Sequence, residues 1–215
     1  YTRITVTRVC GAMGAEIGEV DLSQPIDEAT VAEIHRAFLE HCAIVFRGQD
    51  VPPDRQIAFT EIFGSVVPHP LYRTNAIEGH PEILVLEHKA GQFINGKNDI
   101  WHSDITFGEA PPLGSVLQCR ACWEGFADTM FANQYAAYEA LSEPMRLFLD
   151  SLEAEHSAER LQRNNNARSY NDRIEEIPEP VIHPVIRTHP ETGRKSLFVN
   201  EAFVTRICGL TDEES

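Results

Sequence analysis

From Ile4 to Val9 the chain alternates β-branched and polar residues (Ile4-Thr-Val-Thr-Arg-Val9), the period-two pattern of a half-buried strand. The spacing then changes. Val31, Ile34, Phe38 and Cys42 recur at helical intervals behind Asp27, which predicts a helix with an acidic first turn. Ala43-Ile-Val-Phe46 follows as a short buried strand closed by Arg47-Gly48. Pro53 opens a second predicted helix, with Ile57, Phe59, Ile62 and Phe63 on its apolar side and Gly64 at its end. Gly11, Gly14 and Gly18 lack the spacing of a dinucleotide fingerprint and open no helix, so they are assigned to turns.

Past Gly64 the pattern shifts toward β structure, with strands predicted at Ile83–Leu86, Ser115–Gln118 and Ser151–His156. Ala136 through Leu149 predicts a helix pair interrupted by Pro144. Val185–Thr188 and Ser196–Val199 flank His189-Pro-Glu-Thr-Gly-Arg194, a hairpin with turn residues in its middle. Residues 159–180 are polar and carry Asn164-Asn-Asn166 and Ile174-Glu-Glu-Ile-Pro-Glu-Pro180, which predicts a mobile loop or lid. No internal repeat and no linker divides the chain, so a single α+β domain over 1–215 is expected.

Composition narrows the class. A hydrophobic fraction of 42% and a charged fraction of 24% are ordinary globular values and exclude disorder and coiled coil. The net charge of −15 opposes binding to nucleic acid or an anionic membrane, and no apolar run approaches the ~20 residues of a membrane span. A small anionic ligand stays open, because a few local cations outweigh a distant surface charge. Five sparse cysteines do not form a disulfide framework and suit a reducing cytoplasm. Cys119 and Cys122 form a lone pair without the second pair or the histidines a zinc site needs, and they are assigned in or beside a strand. The chain opens at Tyr1 and stops at Ser215, and both ends look cut.

The chemistry concentrates at Trp101-His-Ser-Asp104. In an extended segment His102 and Asp104 project from one face. There an imidazole and a carboxylate could fill adjacent positions on a divalent metal and, with another histidine, complete the facial triad of non-haem iron oxygenases. A hydrogen-bonded His–Asp pair at a strand end accounts for the same spacing.

The run Trp101-His-Ser-Asp-Ile-Thr-Phe107 followed by Pro111-Pro112 resembles the iron(II)/2-oxoglutarate-dependent taurine dioxygenase and aryloxyalkanoate dioxygenase (TauD/TfdA) family. The resemblance extends to Gly14-Ala-Glu-Ile-Gly18, Val45-Phe-Arg-Gly-Gln49, Ala136-Ala-Tyr-Glu-Ala-Leu-Ser142, Ala154-Glu-His156, His183-Pro-Val-Ile-Arg-Thr-His-Pro190 and Leu197-Phe-Val-Asn-Glu201. It implies a double-stranded β-helix (jelly-roll) core with flanking helices, incomplete in this chain. It implies iron(II) held by His102 and Asp104, 2-oxoglutarate as cosubstrate contacted by Thr129, and O2 as oxidant. The family writes Gly-Gly-Asp-Thr where this chain has Phe126-Ala-Asp-Thr129.

Members of the family place the second metal histidine and the 2-oxoglutarate-binding arginine close to the carboxyl terminus, so the resemblance puts both beyond Ser215; His183 and His189 sit in the family's His-Pro motifs, which do not match its metal positions. In members resembling taurine dioxygenase, the matching substrate residues are His69, Tyr72, Asn98 and Phe203. The implied activity is hydroxylation of taurine or a related alkyl sulfonate with release of sulfite. The alternatives are the same chemistry on an alkyl sulfate or aryloxyalkanoate, or a non-catalytic remnant with an incomplete metal site. A homo-oligomeric state stays open.

Overall fold

The computed structural model describes residues 1–72, 75–87, 100–122, 125, 128–168 and 174–215. They divide into two units, each made from two stretches of chain: Tyr1–Val66 with Val116–Ala136, and Val67–Ser115 with Ala137–Ser215.

In the first unit the alternating opening forms β1 (Thr5–Arg8), which pairs antiparallel with β2 (Ala15–Gly18). Gly18 is therefore a strand residue rather than a turn. It lies opposite Thr5, where an added Cβ would collide with the threonine hydroxyl, so a larger residue fits only if the Thr5 side chain moves aside. The helix expected after Asp27 is α1 (Glu28–His41), and Asp27 caps it by accepting from the amides of Ala29 and Thr30, both at 3.1 Å. The buried line runs Thr30, Ile34, Ala37 and His41, so the helix is rolled slightly from the stripe predicted through Val31 and Phe38. Burying Ile34 completely contributes about 2 kcal/mol.

β3 (Ile44–Val45) pairs parallel with β2 at the edge of this sheet, and it is half exposed rather than buried, with Ile44 packed against the core and Val45 exposed. Pro53 opens α2 (Pro53–Glu61), whose Phe59 enters the core with Ile4, Ala15, Ile17, Leu22, Ile34, Ala37 and Val51. Val116 packs against this core, but no ladder forms over 115–118, so the strand predicted there is absent. Cys119 and Cys122 are exposed thiols outside any strand.

The second unit begins with a hairpin, β4 (Ala76–Ile77) and β5 (His80–Leu84). The helix pair appears as α3 (Gln134–Glu139), which straddles the boundary of the two units at Ala136, and α4 (Glu143–Leu149). Pro144 opens α4 behind its Ser142 cap rather than interrupting a helix. β6 (Glu153–His156) is the centre of a three-stranded antiparallel sheet, and α5 (Glu159–Arg168) follows it. The first half of the expected loop is thus helical, fastened by Gln162 and Asn166 donating to the Ile174 carbonyl at 3.1 and 3.0 Å. Residues 169–173 of that stretch lie outside the described residues. β7 (Val181–Pro184) flanks β6 on one side, and the predicted hairpin forms as β8 (Ile186–Thr188) and β9 (Lys195–Leu197). β10 (Val204–Ile207) closes the other side of β6. Among the described residues no helix is long and apolar enough to cross a membrane.

Candidate metal centre

Both residues of the His-x-Asp pair stand in the second unit, and the segment that carries them is not a strand. His102 leads into a turn over 104–107 in which Ile105 adopts φ +52°. Left-handed backbone at a β-branched residue is disfavoured by about 1–3 kcal/mol, and such positions persist where the surroundings over-determine them. Strand alternation would put 102, 104 and 106 on one face. Here His102 and Asp104 are exposed while Thr106 and Phe107 are buried, at 0% and 2% exposure. The turn at Ile105 makes that division.

Each polar atom of the pair has a defined task. His102 Nδ1 donates to the Ile100 carbonyl at 2.9 Å, which leaves Nε2 facing Asp104 Oδ1 at 3.3 Å. The other carboxylate oxygen, Oδ2, accepts from the Ser115 hydroxyl at 2.7 Å. An imidazole lone pair opposite a carboxylate needs a positive charge between them, either a proton or a cation. The hydrogen bond to Asp104 raises the His102 pKa above its ordinary value, and the same contact, with help from Ser115, lowers that of Asp104. A divalent ion with ligands at about 2.1 Å in adjacent octahedral positions separates its donors by about 3 Å, and one nitrogen and one carboxylate oxygen suit iron(II). The pair fits such an ion. No third His, Cys, Asp or Glu joins it among the described residues.

Phe203 stands edge-on to the His102 ring at 6.4 Å and to Phe107 at 5.1 Å. Around Phe107 and Phe203 pack Ala158, Ala202, Leu71, Ile105 and Ile177. His69 and Tyr72 lie ring against ring at 4.8 Å. The amides of Leu71 and Tyr72 donate to His69 Nδ1 at 3.2 and 3.1 Å, so the ring carries its proton on Nε2. Burial lowers the His69 pKa and the charge of Asp104 partly offsets that, which places the two groups within electrostatic reach of each other.

Of the remaining candidates, Asn98 lies outside the described residues, as do Phe126 and Ala127. Thr129 belongs to the first unit and is exposed. Gly125, at φ +77°, supplies a left-handed position just ahead of the stretch where the family's glycines are missing. Ser115, Thr106, His156 and Asn200 escaped the sequence reading as site residues. Nothing local marks a hydroxyl eleven positions from Asp104 as its partner, and the other three signal only through the contacts that the fold makes.

Residues 5–215 match the family described as taurine catabolism dioxygenase TauD, TfdA family. The chain is 35% identical over 221 residues to an alkylsulfatase of Acinetobacter baylyi, covering 99% of this chain and 68% of the relative. It is 35% identical over 226 residues to an alpha-ketoglutarate-dependent sulfate ester dioxygenase of Pseudomonas putida, covering 99% and 71%. A solved structure of a putative alpha-ketoglutarate-dependent taurine dioxygenase from Burkholderia xenovorans superposes with a TM-score of 0.72 at 30% identity, covering 99% of this chain and 71% of that one. The fold is accordingly the jelly-roll arrangement of such dioxygenases, and the matched stretch is only part of each relative's length.

Proposed function

This chain belongs to the TauD/TfdA family of iron(II)- and 2-oxoglutarate-dependent dioxygenases, and from that premise we propose that it hydroxylates the carbon next to the sulfur oxyanion of a small alkyl sulfate or sulfonate. The observation that carries the reading is the 3.3 Å pair of His102 Nε2 and Asp104 Oδ1, with the second polar atom of each side chain already engaged by Ile100 and Ser115. His102 and Asp104 would hold iron(II), with a third ligand from outside the residues described. When bound, the iron supplies dioxygen activation coupled to the decarboxylation of 2-oxoglutarate to succinate and carbon dioxide.

The protein's own groups bind and orient. Ser115 keeps the Asp104 carboxylate from rotating. His69, uncharged and protonated on Nε2, donates to an oxyanion of the substrate without offering it an acidic proton, and Tyr72 lies against that ring. Phe203 and Phe107 form an apolar wall that keeps water from the reacting carbon. Thr129 contacts 2-oxoglutarate and Asn98 the substrate in this reading. Hydroxylation beside a sulfate ester gives an adduct that collapses to an aldehyde and sulfate; beside a sulfonate it gives an aldehyde and sulfite. An alkyl tail is favoured over taurine's ammonium, because the side chains packed around Phe203 are apolar. The five sparse cysteines suit a reducing, cytoplasmic setting.

The test is a profile of hexyl sulfate, taurine and phenoxyacetate, following succinate together with sulfate or sulfite. Succinate matched by sulfate from hexyl sulfate is the expected result. Turnover with phenoxyacetate alone refutes the sulfur-oxyanion reading and leaves the iron chemistry standing. Failure of the protein to bind a divalent metal refutes both.

A further inference from the structure

A buried hydrogen-bond chain meets the Ile105 turn from its far side. Asn200 Oδ1 accepts from the amides of Ala202 and Phe203 at 3.1 and 2.9 Å, which fixes the orientation of its amide. Its Nδ2 therefore donates to Thr106 Oγ1 at 3.2 Å. The same Thr106 oxygen is hydrogen-bonded to His156 Nδ1 at 2.9 Å. The other ring nitrogen, His156 Nε2, has no partner among the described residues although the ring is 0% exposed. The turn is also held at Gly108, whose amide donates to the Ile105 carbonyl at 3.1 Å and whose carbonyl accepts from His183 Nε2 at 3.0 Å. The His183 ring stands edge-on to His156 at 5.1 Å.

We propose that Thr106, His156 and Asn200 form a clamp that keeps the left-handed turn at Ile105 closed, making them positioning residues for the metal ligand Asp104. The proposal rests on the metal reading above. Two features here oppose stability, a β-branched residue at positive φ and an unpartnered polar atom on a buried ring. A fold under no further demand would dispense with both. They share one consequence: the chain drops into the core at Thr106 directly after presenting Asp104 beside His102 at the surface. Without the clamp the segment relaxes toward extended backbone, and alternation then draws 104 and 106 to the same side. Because Asn200 also ties down the Phe203 amide, the clamp links the metal ligand to the aromatic wall beside it.

The test compares wild type with Thr106→Val, which removes the hydroxyl at constant shape, Thr106→Ser, which restores it, and Thr106→Val combined with Ile105→Gly, which removes the left-handed penalty. Mn(II) affinity is read by electron paramagnetic resonance. Amide exchange of Gly108 and Phe203 is read in the metal-free protein. Thr106→Val is expected to weaken Mn(II) binding by about ten- to a hundredfold and to speed exchange at both amides. Thr106→Ser should stay within about threefold of wild type, and the double variant should bind more tightly than Thr106→Val. Wild-type affinity and exchange in Thr106→Val overturn the proposal, as does a double variant no better than the single one. Wild type that fails to bind Mn(II) overturns the metal reading instead, and the exchange comparison still decides whether the clamp exists.

Discussion

The buried His156 ring predicts an acid-sensitive fold. Burial, reinforced by the neighbouring His183, lowers its pKa from 6.5 to about 4. The unfolded chain therefore takes up this proton near pH 6.5 while the folded protein refuses it until about pH 4. Stability from this group is fully present above pH 6.5, falls between 6.5 and about 4, and is constant below. At about 1.4 kcal/mol for each pH unit, the interval amounts to about 3 kcal/mol. His102 acts in the opposite sense, since its raised pKa adds stability that is lost as pH rises through the folded value. The decisive quantity is thus the difference between wild type and His156→Phe, which keeps a buried ring and removes the titration. Urea unfolding followed by circular dichroism from pH 7.5 to 4 measures it. The variant should lose less stability than wild type on acidification, by about 3 kcal/mol over that range. Parallel pH profiles for the two proteins refute the assignment of a buried neutral histidine.

Three further outcomes follow from single contacts. Ser115→Ala frees Asp104 Oδ2 and should weaken Mn(II) binding about tenfold, read by electron paramagnetic resonance; unchanged affinity means that the hydroxyl does not orient the carboxylate. Glu33 accepts from Thr2 and Arg3, and those bonds bring its pKa down to about 2, so its contribution is present above pH 4.5 and lost as pH falls through about 2. Glu33→Gln should speed exchange of the Arg3 amide at neutral pH, and equal rates would remove the carboxylate from its anchoring role. Gly18→Ala should destabilise the protein by about 1–3 kcal/mol in urea unfolding, and Thr5→Ala should recover part of that loss by removing the hydroxyl in the way; a loss that Thr5→Ala leaves unchanged counts against the close approach.

What could be read along the chain was whatever is encoded locally. Asp27 and Pro53 announce helix starts through their own capping chemistry, so α1 and α2 were legible, and β1 was legible from its alternation. β2 and β10 were not, because four residues such as Ala15-Glu-Ile-Gly18 become a strand only through a partner elsewhere in the sequence. The error at Ser115–Gln118 is the converse: an apolar pattern without a ladder to join. α5 was missed because its sequence is nearly all polar: Leu161 alone of its large apolar side chains packs against the Phe107 and Phe203 cluster, while Gln162 and Asn166 fasten to Ile174.

The same division runs through the metal centre. The sequence by itself determined the residue types and their order, His102 and Asp104 within a family-wide set of motifs, and hence the family. It could not place them, because the extended geometry assumed for a His-x-Asp spacing is not the one adopted. Tertiary structure decided that a left-handed turn divides Asp104 from Thr106, that Ser115 holds one carboxylate oxygen, and that Phe203 stands beside His102. The physical reason is that an isolated segment has no cause to hold Ile105 at positive φ. That conformation persists because Thr106 and Gly108 are fastened to groups 50 to 94 residues further along the chain.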